Sequence, residues 1–66
     1  MNPRQALEWM ELEFGAQRSD LMLKLLLRNP SELEAIVISN FSASNPKRQK
    51  MRIALNAILE KHREGK

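Results

Sequence analysis

Leu21-Met22-Leu23-Lys24-Leu25-Leu26-Leu27 is the longest apolar run in the chain, broken only by Lys24, and its reading decides the fold class. A short apolar run suits a buried strand as well as a helix, so residue type has to arbitrate. Leucine and methionine favour helix, and the β-branched residues typical of strands are missing here. The run is therefore read as the body of a helix over residues 17–28, beginning between Ala16 and Ser19. A bilayer needs about 20 apolar residues in a helix, far more than this run offers. The polar, acidic N-terminus shows no signal-peptide pattern. The expectation is a soluble, cytoplasmic protein with no membrane partner.

A helix that is apolar on nearly every side must be covered on more than one. A chain of 66 residues buries only about 60% of its unfolded surface, which leaves little cover to spare. The sequence thus predicts a homodimer. Its interface would use Leu21, Met22, Leu25 and Leu26, together with Ile38 from the following helix.

Working outward, every proline follows an asparagine: Asn2-Pro3, Asn29-Pro30 and Asn45-Pro46. Asparagine is a preferred N-cap and proline a preferred first helical residue, so the pair marks helix starts. Gln5 and Glu32 stand where they complete capping boxes with Asn2 and Asn29. Gly15 suits the end of the first helix. The result is an all-α fold, a single small four-helix domain with helices at about 3–14, 17–28, 30–41 and 46–63 and fraying over 64–66.

Apolar spacing supplies the faces. Leu7, Met10 and Phe14, with Ala6 beside them, form the expected stripe of the first helix. Leu33, Ile36, Val37 and Phe41 form that of the third, with Asn40 near it as a C-terminal cap. Met51, Ala54, Leu55, Ile58 and Leu59 form that of the fourth, with His62 extending the same face.

The net charge of +3 hides a gradient along the chain. Residues 1–20 carry Arg4 and Arg18 against Glu8, Glu11, Glu13 and Asp20, a net −2. The last 21 residues set seven cations against Glu60 and Glu64, a net +5. Lys47, Arg48, Lys50 and Arg52 crowd the first two turns of the fourth helix, where the dipole favours anions instead. Three readings fit this cluster: a phosphate backbone, an acidic protein surface, or a solvated run without specific role. A helix-turn-helix built from the third and fourth helices is the nucleic-acid version, but its turn lacks the common glycine.

Trp9 is the only tryptophan and lies at the edge of the first helix's stripe, either as core or as an interface anchor. Glu8 and Glu11 accompany it on the acidic side. Catalysis finds no support. There is no cysteine, Ser42 and Ser44 have no evident base, and the two glycines cannot form a phosphate loop. His62 is alone, so no metal site or cofactor is expected. The sequence therefore predicts a non-enzymatic small regulator or inhibitor that binds and modulates another protein. The alternative is a DNA-binding regulator that sets Lys47, Arg48, Lys50 and Arg52 on phosphates.

Overall fold

The computed structural model describes residues 1–65 and contains four α-helices, with no strand among them. They are α1 (Pro3–Phe14), α2 (Ala16–Arg28), α3 (Leu33–Asn40) and α4 (Lys47–Glu64). The fold is all-α, as the sequence predicts. Glu64 is still helical, and Lys66 lies outside the described residues.

The three Asn-Pro pairs do different local work. At α1 the capping box is complete: the Gln5 N–H donates to Asn2 Oδ1 at 2.8 Å, and the Asn2 N–H donates to Gln5 Oε1 at 3.0 Å. At Asn45 the side chain accepts from the Lys47 N–H at 2.9 Å, an Asx turn that aims the chain into α4. Asn29 departs from the expected box. Its N–H closes the end of α2 on the Leu25 carbonyl at 3.0 Å. Its side chain accepts from the Ser31 hydroxyl at 2.7 Å, and Glu32 makes no reciprocal bond. One residue serving two helix ends leaves no linker, so Pro30–Glu32 tightens into a 3-10 turn before α3 begins.

Gly15 alone joins α1 to α2. Its φ of 89° with ψ of 155° is a conformation open essentially to glycine. Its N–H closes α1 on Glu11 and its carbonyl accepts from the Ser19 N–H, at 2.9 and 3.0 Å. Ser19 is therefore a buried residue inside α2, which begins at Ala16.

The core is one cluster of Met10, Leu26, Ile36, Val37, Met51, Leu55 and Leu59, drawn from all four helices. The helix α4 packs most extensively on α1 and also lies against α3. Ala6 on α1 and Ala54 on α4 have no accessible surface, and such small side chains suit close helix approach. This moves the α1 stripe from its expected centre: Ala6 and Met10 are buried, while Leu7 is exposed. His62 is also exposed rather than continuing the buried face of α4.

Asn40 ties α3 to α2. Its Nδ2 donates to the Ile36 carbonyl at 2.7 Å, and its Oδ1 accepts from Arg18 Nη2 at 2.6 Å. The same amide lies 3.5 Å from Met22 Sδ. The end of α3 thus meets the first half of α2, so the two helices run antiparallel. The radius of gyration is 11.0 Å, matching the ~11 Å expected of a compact chain of this length. The buried core cluster is drawn from residues of one chain. Among the described residues, no helix is long and apolar enough to cross a membrane.

Candidate interaction surface

The basic start of α4 is held by the rest of the chain. Lys47 Nζ lies 2.8 Å from Glu13 Oε1 on α1. Arg48 Nε donates to the Phe41 carbonyl, just past α3, at 2.7 Å. Lys50 Nζ sits 5.5 Å from the centre of the Trp9 ring, a cation–π distance. Arg52 grips Glu34 on α3 with two parallel bonds, Nε to Oε2 at 2.8 Å and Nη2 to Oε1 at 2.9 Å. That hydrogen bond is the main reason the Glu34 carboxyl is held below its ordinary pKa, and it raises the Arg52 pKa in turn.

The four cations therefore join α4 to both flanking helices. Their position against the dipole of α4 is offset by the carboxylates of Glu13 and Glu34. The compensating anions come from α1 and α3 of the same chain.

Trp9 is half-buried in an aromatic group with Phe14 and Phe41, with centroid separations of 6.1, 6.5 and 5.6 Å. The Trp9–Phe14 pair is edge-to-face, a favoured arrangement. Trp9 thus faces α4 and the end of α3, apart from Glu8 and Glu11. Those two carboxylates lie with Leu12 and Ala16 along a shallow exposed groove. Glu8 pairs with Arg4 at 3.4 Å on the surface.

The expected dimer residues divide. Leu26 has no accessible surface, being central to the core, so it cannot form an interface between copies. Met22 is partly buried and packed on the same core. The cause is that α2 has an inner side, formed by Ser19, Met22, Leu23, Leu26 and Leu27, which takes Leu26 out of the expected interface and half-buries Met22. Leu21, Leu25 and Ile38 remain outward, at 61%, 46% and 53% exposure. Leu12, which the sequence reading passed over, is 89% exposed.

No three His, Cys, Asp or Glu side chains converge to hold a metal ion among the described residues. An open depression of about 430 Å³ lies between the start of α1 and the end of α4, lined by Arg4, Glu60, Lys61 and Glu64 among others. Comparison of the chain with protein-family models, curated proteins and solved structures finds no match to any of them.

Proposed function

We propose that this chain is a non-enzymatic protein-binding module that modulates another protein, docking through the outward sides of α2 and α3. The observation that carries the reading is the exposure of Leu21, Leu25 and Ile38 on a chain whose core closes without them. Single exposed apolar residues are ordinary. Here two of them stand one turn apart on α2, where anchors of a helical contact recur.

The nucleic-acid alternative has less support. Phosphate binding at Lys47, Arg48 or Arg52 would have to break contacts made with Glu13, Phe41 and Glu34. Self-association remains a competing use of the same surface, and the test separates it.

The test is capture from a lysate of the source organism by the immobilised chain and by its Leu21→Asp/Leu25→Asp variant. The reading expects a protein retained by the parent chain and lost with the variant, while circular dichroism of the variant is unchanged. Retention of the same proteins by both would refute it. So would binding to duplex DNA whose affinity falls log-linearly with salt, the behaviour of phosphate contacts.

A further inference from the structure

We infer that the outward seam of α2 docks an acidic amphipathic helix of another protein, one presenting two apolar side chains a turn apart with a carboxylate beyond each. This rests on the protein-binding reading above and specifies the chemistry of the partner.

Arg18, Leu21, Leu25 and Arg28 follow one another at spacings of three, four and three. That is the spacing of a seam along one side of a helix, the kind through which helices pair. All four are exposed, and Leu26 and Ser19 are buried on the opposite side. The seam reads cation, leucine, leucine, cation.

Unlike Lys47 and Arg52 of α4, the two arginines pair with no carboxylate among the described residues. Arg28 makes no ion pair among the described residues and stands in the last turn of α2. Arg18 is positioned by neutral groups: Asn40 accepts from one Nη at 2.6 Å, and the guanidinium lies 5.4 Å from the Phe14 centroid. A guanidinium has five N–H donors, so Arg18 keeps donors for a carboxylate while its plane is held in place. The only carboxylate on α2, Asp20, is already 2.9 Å from Lys24. The seam is therefore a short apolar centre with uncompensated positive charge at both ends, which a helix of opposite pattern complements.

A second copy fits it poorly. Two-fold pairing that sets Leu21 against the partner's Leu25 also sets Arg18 against the partner's Arg28, at both ends. Like charges brought together across an interface oppose association. Sliding to pair Leu21 with the partner's Leu21 brings Arg18 against the partner's Lys24 and leaves Leu25 facing glutamine. A stable dimer also needs about 800 Å² from each partner, more than two half-exposed leucines provide. The acidic groove of Glu8, Glu11 and Leu12 on α1 offers one leucine only. Its use by a second copy would be head-to-tail and would grow into chains.

The experiment titrates the isotope-labelled chain with a side-chain-stapled helical peptide of pattern Glu-x-x-Leu-x-x-x-Leu-x-x-Glu, and with the same peptide carrying Lys in place of Glu. NMR shifts should map to the outward residues of α2. The acidic peptide should bind roughly tenfold more tightly than the lysine peptide, and added salt should narrow the difference. Arg28→Glu, which removes no side-chain hydrogen bond or ion pair seen among the described residues, should weaken the acidic peptide roughly threefold to tenfold and strengthen the lysine peptide. Equal affinities, or shifts confined to α1 and α4, would overturn the inference. So would light scattering that shows a dimer dissolved by Leu21→Asp/Leu25→Asp, since the seam would then belong to a second copy. A captured protein lost with the double leucine variant but indifferent to Arg28→Glu would leave the protein-binding reading standing and remove the acidic helix.

Discussion

Replacing Leu25 and Leu26 by alanine, one at a time, sets two identical side chains against each other, next to one another on the same helix. Leu26 has no accessible surface and belongs to the core cluster, whereas Leu25 is 46% exposed. Truncating a fully buried leucine costs about 3–5 kcal/mol, including the cavity left behind. A chain of 66 residues has about 3–10 kcal/mol in total, at roughly 0.05–0.15 kcal/mol per residue. Leu26→Ala should therefore remove a third or more of the stability. Its melting temperature should fall by more than about 10 °C, at roughly 4–8 °C per kcal/mol in a domain this small. Leu25→Ala loses three carbons from a half-exposed site, worth about 1 kcal/mol at roughly 0.8 kcal/mol per buried methylene. Urea unfolding followed by circular dichroism and by Trp9 fluorescence measures both. Equal losses, or a larger loss at Leu25, would refute the assignment of inner and outer sides to α2. Repeating the series at tenfold higher protein concentration exposes a dimer. A midpoint that rises with concentration in the parent but not in Leu25→Ala would mean that the seam is covered in solution.

Two further outcomes follow from single side chains. The Ser19 hydroxyl is buried with no hydrogen-bond partner, so Ser19→Ala should stabilise the chain by about 1–2 kcal/mol, from the lost desolvation cost and the better helix propensity. A neutral or destabilised variant on thermal melting would mean that the hydroxyl is satisfied in solution. Glu34 binds its proton less readily when folded, chiefly through its bond to Arg52, so its contribution is complete above the ordinary carboxylate pKa. It is lost as the pH falls through the lower folded value. The stability gap between parent and Glu34→Gln should close in that acidic range, and a gap independent of pH would show that the pair is not acting through its charge.

Helix type and number were legible because local signals agreed with one another. The helix reading of residues 17–28 rested on composition, and α2 begins one residue earlier, at Ala16. The capping box at Asn2 involves only neighbours within one turn, so the sequence determines it. Asn29 carries the same local pattern, yet its N–H is already committed to ending α2, a constraint that spacing after the proline does not register. The displaced stripe of α1 has a tertiary cause. Leu7 is more apolar than Ala6, but α4 lies against the alanine side, and a small residue at the contact outweighs a larger one beside it. The all-round apolar character of α2 likewise concealed a preference for one side. Packing selects which leucines point inward, and that selection separates Leu26 from Leu25.

Charge was the least legible property, because a tally along the sequence is not a surface. Residues 47–52 form a basic block in the chain, but α1 and α3 bracket α4 and bring Glu13 and Glu34 to it from either side. Two of the seven cations in the basic stretch, Lys47 and Arg52, thereby join helices that lie far apart in sequence. The dipole conflict at the start of α4 did signal a missing anion, and its source is the chain itself. Arg18 and Arg28, one near each end of α2, pair with no carboxylate among the described residues, and no run of residues announces them. Arg18 and Arg28 become a pattern only once the helix is drawn and Leu21 and Leu25 are seen to lie between them. An electrostatic contribution to binding is therefore better sought at these two arginines than at the denser cluster, because a charge already paired within the fold must give up that contact before it can serve a partner.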